Sequence, residues 1–290
     1  MTQATTILGL LAQTSIHAGT GSNTGVIDLP IQREGHNGYP CIFGSSMKGA
    51  LRTRAEAEAN AESVKFVFGP SASDEKIDHA GALMVSDARL LLLPIRSLTS
   101  QFKWVTCPAV LQRFQRDAER FGITLTNFNI PSVTGEEAKV ANTAGTLFLE
   151  EYRFTATTEN MDGIITAIAK LMREGAETEL AGQLVIVSND MFAHLCQHAT
   201  PVNAHIAIES ATKTVKAGAL WYEETLPPET LLYVGLSAVK SRANDAAMPM
   251  PATAILSAVT SIFTAKPWLQ VGGNETVGMG WCAVTNMGGK

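Results

Sequence analysis

A strand-forming run over residues 6–16 empties into Gly19-Thr20-Gly21-Ser22-Asn23-Thr24-Gly25, and the segment after these glycines constrains the fold more than any other stretch. A dinucleotide-binding βαβ unit needs a helix directly after such a loop, so that its N–H groups and dipole meet a pyrophosphate. Here Asp28, Pro30, Gly35, Gly38 and Pro40 come next instead, and Pro and Gly at that density oppose a helix. A nucleotide-dependent metabolic enzyme would rest on this loop alone. Neither 273–278 nor 44–49 completes a phosphate-binding loop with Gly-Lys-Ser or Gly-Lys-Thr, and no Gly-x-Ser-x-Gly elbow occurs.

Ordered structure resumes at Ile42. Ser45 or Ser46 is placed to cap a helix whose Met47, Ala50, Leu51 and Ala55 share a face and which runs to about residue 61. An apolar turn at 66–70 precedes a strand over 82–95, broken near Asp87, and a connection through Thr106 and Pro108. Residues 111–121 read as helix, 146–154 as strand, 164–180 as helix and 184–187 as a short buried strand. Ser188 or Asn189 caps a short helix ending near Pro201. Val202, Ala204, Ile206 and Ile208 then alternate with polar residues as in a half-buried strand, 210–213 turn, and 214–223 return as the second arm of a projecting hairpin. Residues 231–239 rejoin the core, 255–263 form an amphipathic helix, and 269–271 enter a glycine-rich loop, 272–280, before a last strand at 281–284. Irregular connections of this kind suit an α+β sandwich with long insertions, such as a ferredoxin-like sheet.

The composition says that the chain folds: 46% of its 290 residues are hydrophobic and 17% charged. Its longest apolar stretch, 90–95, is interrupted by Pro94 and bounded by Arg89 and Arg96, whereas a membrane helix needs about 20 residues. No basic residue precedes Arg33, so a secretory signal is not expected either, and the reading is cytoplasmic without a membrane partner. Cys41, Cys107, Cys196 and Cys282 form no Cys-x-x-Cys pair and read as reduced thiols. His194 and His198 share a helix face but lack the glutamate of a zinc protease, and read as structural or surface histidines.

The net charge of −5, from 22 basic against 27 acidic residues, argues against a globally basic nucleic-acid binder but does not locate charge. A groove along a phosphate backbone needs only a few aligned cations. Lys48, Arg52 and Arg54 fall early in the 45–61 helix, and Glu56, Glu58 and Glu62 late, the reverse of what the helix dipole favours. Either this is a solvated face, or an anion bound at the N-terminus rebalances it, with Lys48 and Arg52 on one stripe. Asp28 reads from the residues alone as a turn aspartate or as an ion-pair partner of Arg33. Glu223 and Glu224 stand beside Trp221 and Tyr222 at the hairpin base. A carboxylate placed near an RNA 2′-hydroxyl can act as general base or hold a metal against the phosphate.

Longer motifs are more specific. His17-Ala18-Gly19-Thr20-Gly21, the run Ile27-Asp28-Leu29-Pro30-Ile31-Gln32-Arg33-Glu34, and Gly44-Ser45-Ser46-Met47-Lys48-Gly49-Ala50-Leu51-Arg52 closely resemble one protein family. So do Ser86-Asp87-Ala88-Arg89-Leu90, Pro94-Ile95-Arg96-Ser97-Leu98, Val105-Thr106-Cys107-Pro108, Gly218-Ala219-Leu220-Trp221-Tyr222-Glu223-Glu224 and Gly272-Gly273-Asn274-Glu275-Thr276-Val277-Gly278-Met279-Gly280, in the same order. The family is the Cas-seven-like backbone proteins of type III-B CRISPR (Cmr) effectors, within the RAMP superfamily.

That resemblance implies a single RAMP domain over 1–290, with a ferredoxin-like (RRM-like) palm at 1–187 and 236–290 carrying lid segments, and a thumb insertion at 188–235. It implies copies polymerised along a CRISPR RNA (crRNA) as an open filament, together with other Cmr subunits and a target RNA. The guide reads sequence by pairing, the protein reads backbone and shape, and the thumb displaces a base pair at regular intervals. Asp28 matches the catalytic aspartate of a divalent-metal-dependent endoribonuclease, with Mg2+ as the expected ion and Glu223 as a second catalytic candidate. His17, Ser46, Lys48, Arg52, Arg96, Gly273, Asn274 and Gly278 are the expected RNA contacts. The loop carrying Asp28 is expected to order only with RNA and neighbouring subunits. The alternative is a crRNA-binding scaffold whose complex cuts elsewhere.

Overall fold

The computed structural model describes residues 3–58, 61–71, 79–242 and 249–289. Strand β1 (Ala4–Ala12) is almost wholly apolar because it lies in mid-sheet with both faces covered. After the first glycine loop, β2 (Cys41–Ile42) leads into α1 (Gly44–Glu56), which buries Met47, Leu51 and Ala55 at helical spacing. The expected continuation of α1 to about residue 61 crosses 59–60, which lie outside the described residues. In α2 (Ala61–Phe68), Phe66 to Phe68 are the final turn of a helix, correcting the expected apolar turn; Gly69, at φ 92°, ends it. The run at 82–95 is two strands, β3 (Leu83–Val85) and β4 (Ala88–Arg96), and the break near Asp87 has a cause. Asp87 Oδ1 accepts the N–H of Gly44 at 2.7 Å, and Ser86 Oγ accepts that of Gly235 at 2.9 Å.

The expected connection before Pro108 contains a strand, β5 (Phe102–Thr106), anchored by fully buried Trp104. The indole N–H donates to the Glu229 carbonyl at 2.8 Å, so burying the ring leaves no orphaned donor. Helix α3 (Pro108–Arg120) opens with a proline and buries Val110, Leu111, Phe114 and Ala118. β6 (Glu137–Val140) is too short to have shown a period. The single strand expected at 146–154 is a hairpin, β7 (Gly145–Leu149) and β8 (Tyr152–Thr158), turning at Glu150 with φ 51°. The single helix expected at 164–180 is α4 (Asp162–Ala169) and α5 (Glu177–Gln183), parted by Gly175 at φ 79°. Next come β9 (Leu184–Val187) and α6 (Asn189–His198), where Ser188 Oγ caps the N–H of Met191 at 3.4 Å. The chain closes through β10 (Val202–Ile208), β11 (Val215–Glu224), β12 (Leu231–Ala238), α7 (Ala252–Thr260), α8 (Ile262–Ala265), β13 (Trp268–Gln270) and β14 (Trp281–Asn286).

The large sheet runs β13-β14-β1-β12-β4-β5-β9-β6-β8-β7, with β2 also on β4 and β3 on β12. It is mixed: β5–β9 and β6–β8 are parallel, and the other pairs antiparallel. In register, Leu8 faces Val234 across β1–β12 and Leu10 faces Val284 across β1–β14. A Cβ at Gly9 would come within 2.0 Å of the Leu171 carbonyl oxygen, so glycine lets the segment after α4 cross the sheet there. The result is a mixed α/β body without the doubly wound plan that the first glycine loop also argued against.

Strands β10 and β11 form a separate two-stranded ribbon, with Ala204 opposite Tyr222, His205 opposite Trp221 and Ile206 opposite Leu220. The expected half-buried strand is corrected here. Val202, Ile206, Ile208, Val215, Leu220 and Tyr222 share one face of the ribbon and are 42% to 58% exposed, because no core lies behind them. On the other face His205 stacks on Trp221, ring centroids 5.5 Å apart. All four cysteines are buried free thiols, and no helix among the described residues is long and apolar enough to cross a membrane.

Candidate functional site

The first glycine loop is closed at its neck by the chain's own backbone. Gln32 N–H donates to the Ala18 carbonyl at 2.7 Å and Thr20 N–H to that of Pro30 at 3.1 Å. The return limb then lies along β11, where Leu29 N–H donates to Tyr222 and Glu224 N–H to Leu29 at 3.1 and 3.0 Å. Half-buried Asp28 sits at this junction, and its Oδ2 accepts the N–H of Tyr222 at 2.8 Å. These bonds all come from within one chain.

Glu223 and Glu224, adjacent in β11, point to opposite sides and have different work. Glu224 is buried and accepts from Arg33, from Thr200 Oγ1 at 2.7 Å and from Ile31 N at 3.1 Å. Arg33 also holds the carbonyls of Gly38 and Cys196 at 2.8 and 2.9 Å. The ion pair open to Asp28 from the sequence is therefore not formed with Arg33, whose charge belongs to Glu224. Glu223 Oε1 instead accepts from Asn274 Nδ2 at 2.6 Å and lies 4.0 Å from His17 Nδ1. His17 Nδ1 is 2.8 Å from the Glu224 carbonyl, an acceptor only, so that nitrogen carries the proton and donates.

The second glycine loop closes over His17. Gly273 N–H donates to the His17 carbonyl at 2.8 Å, and Gly272, at φ 80°, leaves no room for a Cβ, which would fall 2.4 Å from that oxygen. A Cβ at Gly19 would lie 2.7 Å from His17 Nε2. Asn274 at φ 60° and Gly278 at φ 84° bracket the 3-10 turn Glu275–Val277, with open space where Gly278 would carry a side chain. His17, Glu223, Gly273 and Asn274, far apart in the sequence, are thus one cluster.

Beside it a groove of about 550 Å3 runs between this loop and α1, lined by Gln32, Ser46, Arg54, Gln270, Gly273 and Trp281 among others. Gln32, which is not among the site residues expected from the sequence, joins the two walls. Its Nε2 donates to the Gly19 carbonyl and Ser46 Oγ at 3.1 and 3.3 Å, and its Oε1 accepts the N–H of Phe43 at 2.6 Å. No local pattern marks a buried glutamine in an irregular loop. The capping serines are a correction: α1 begins at Gly44 after Phe43, and Asp87 supplies the accepting oxygen. A carboxylate thus already stands where an anion was expected.

The basic stripe is also redistributed. Ser46 and Lys48 are two residues apart and hence about 200° apart around α1, so Lys48 and Arg52 lie on the flank away from the groove. Arg52 donates to Glu56 and to the Gly69 carbonyl at 2.8 and 3.1 Å. Burial, and then the nearby charges of Arg52 and Arg242, hold the Lys48 amine below the usual lysine range. Arg96 is not brought to the site. It lies at the far end of β4, eight residues or about 26 Å from Ala88, paired with Glu150. His194 accepts or donates at 2.7 Å with the Tyr152 hydroxyl, and no group of three or more His, Cys, Asp and Glu among the described residues is placed to hold a metal.

A RAMP superfamily family model matches residues 10–283. The "CRISPR system Cmr endoribonuclease Cmr4" of Pyrococcus furiosus is 37% identical over 96% of this chain and 94% of its own. The "CRISPR system CMR subunit Cmr4" of Saccharolobus solfataricus is 25% identical over 93% of this chain and 92% of its own. The crystal structure of oligomeric Cmr4 from Pyrococcus furiosus superimposes with a TM-score of 0.74 at 31% identity, covering 97% of each chain. Shared fold and sequence over nearly the full length make this chain a member of the RAMP superfamily and, within it, of the Cmr4 family.

Proposed function

We propose that this protein is the backbone subunit of a type III-B CRISPR ribonucleoprotein, polymerising along a crRNA and cutting complementary target RNA at regular intervals as a crRNA-guided endoribonuclease. The relative at 37% identity is named an endoribonuclease, and the solved relative is oligomeric. The observation that carries the reading is a convergence: the Asp28 loop, Glu223 and the loop at 272–280 meet at the base of a projecting two-stranded ribbon. In this reading the mixed sheet and its helices, 1–187 and 236–290, are a ferredoxin-like palm, and 188–235 is the thumb.

Asp28 is the cleavage residue. Its oxygens are fixed relative to the ribbon by the Tyr222 N–H, and the carboxylate remains partly open to a strand lying along the loop. Glu223 stands behind it with His17 and Asn274, and Ser46, Gly273 and Gly278 present the groove to ribose-phosphate. Lys48, with Arg52 and Arg242 near it, supplies a cationic flank on the other side of α1 from the groove. The chain forms no cage for Mg2+ among the described residues, so the ion would be held mainly by RNA phosphates, with Asp28 as one protein oxygen. That cation would polarise the scissile phosphate.

Asp28→Ala in the reconstituted ribonucleoprotein tests the reading. Target binding persists and cutting within the paired region stops; continued cutting at the wild-type rate leaves the chain a scaffold.

A further inference from the structure

Across the segment 32–41 from the glycine-loop groove lies a second cleft, of about 590 Å3, between that segment, the start of β4 and α3. Its lining includes Phe43, Asp87, Arg89, Arg113, Arg116 and Asp117. Its acids are held by the protein itself. Both Glu34 carboxylate oxygens are 2.6 Å from Arg113 Nη1, and Asp117 Oδ2 accepts from Arg89 Nη1 and the Tyr233 hydroxyl, each at 2.7 Å. Asp87 serves the α1 N-terminus, and Arg33, which also borders the cleft, serves Glu224.

Two groups are left over. Arg116, one turn beyond Arg113 and exposed on α3, has no acidic partner among the described residues, so it is the uncompensated charge of the cleft. Phe43 is 40% exposed although its backbone is fixed by the bond to Gln32. An open ring and an unpaired guanidinium lining one cleft, with Arg89 a third exposed, provide a stacking surface and a phosphate contact together.

We propose that this cleft is a subsite for one nucleotide of a bound RNA strand, its base on Phe43 and its phosphate on Arg116. The inference rests on the RNA-binding function above and extends it to a surface outside the glycine-loop groove. An acidic segment of a neighbouring copy would satisfy Arg116 but would have no use for the aromatic face, which favours the nucleotide. Gln32 gives the arrangement its geometry, since one amide bonds the groove through Gly19 and Ser46 and the cleft through Phe43.

The test is fluorescence-anisotropy titration of the full chain with single-stranded oligouridylate over a salt series, for wild type, Arg116→Ala, Phe43→Leu and Lys48→Ala. Arg116→Ala should weaken binding and lower the salt slope by about 0.7, one phosphate contact on a single strand. Phe43→Leu should weaken binding about tenfold with the slope unchanged. If both bind as wild type while Lys48→Ala binds more weakly, the subsite is refuted and the RNA-binding reading stands. If wild type itself does not bind, that reading falls and the subsite with it. Should Arg116→Ala reduce self-association in sedimentation yet keep the full salt slope, the occupant is a second copy and the nucleotide assignment is overturned. Arg116 is exposed, so an unchanged melting temperature for its variant keeps the comparison free of unfolding.

Discussion

Asp28 Oδ2 accepts the backbone N–H of Tyr222 at 2.8 Å, which ties the loop carboxylate to the base of the ribbon and not to a side chain. A backbone donor survives every substitution at Tyr222 except proline, so the carboxylate's place depends on the ribbon. Asp28→Asn keeps an oxygen for that bond and should retain the loop while abolishing cutting. Gel analysis of target RNA with the reconstituted complex checks this, and cutting within about threefold of wild type would show that the negative charge is not used.

The neighbouring glutamates should separate cleanly. Glu224→Gln breaks a buried pair with Arg33 and should cost about 3 kcal/mol in urea unfolding, because Arg33 keeps its charge without a counterion. Glu223→Gln preserves a hydrogen bond with Asn274 and should change stability by less than about 1 kcal/mol while slowing cleavage. Equal losses of stability would contradict the division of roles.

Gln32→Ala removes the acceptor for Phe43 N–H and the donor to Gly19 in one step. Orphaning a buried backbone group costs about 1–3 kcal/mol, and these two are only part-buried, so a loss of about 1–2 kcal/mol is expected, together with weaker RNA binding. Gln32→Glu keeps the acceptor but sets a carboxylate against the Gly19 carbonyl, and should rescue neither property.

Lys48 carries a sign that can be checked. Burial and the nearby cations Arg52 and Arg242 lower its pKa below that of an unfolded lysine, so the unfolded chain binds the proton more tightly. Its contribution to folding stability therefore improves as pH rises through the depressed value toward the ordinary lysine range, about 10.4. A phosphate placed there would reverse the shift. In acylation footprinting at about pH 9, Lys48 should lose reactivity when RNA is added. Unchanged labelling in the RNA-bound state would place the phosphate elsewhere.

Burial pushes the Cys282 thiol up to about 12 and Cys41 up to about 11, and raises Cys107 and Cys196 as well. Thiolate is the reactive form, so no cysteine should react with a thiol reagent in the native protein. Labelling should track the unfolding transition in urea, and a thiol that titrates rapidly in buffer would show local opening.

Features that depend on near neighbours are legible along the chain. The apolar run of β1, the faces of α1 and α3 and the Ser188 cap all arise from local spacing and local hydrogen bonding. So do the glycine-bounded loops and the projecting ribbon. Strands as short as β6, and the splitting of one apolar run into β7 and β8 or into α4 and α5, depended on pairing and on single positive-φ residues, which hydropathy does not record.

Which charged residues are left free follows from the folded arrangement. Arg33 and Arg96 look as available as Lys48 or Arg116 along the chain, yet Glu224 and Glu150 engage them. Glu223 and Glu224 are adjacent in sequence but meet different partners, Asn274 and Arg33, because successive residues of a strand face opposite ways and both partners are distant in the chain. Charge is a property of a residue, but an unpaired charge is a property of its surroundings, and those are assembled by long-range contacts that the sequence encodes only through the whole fold.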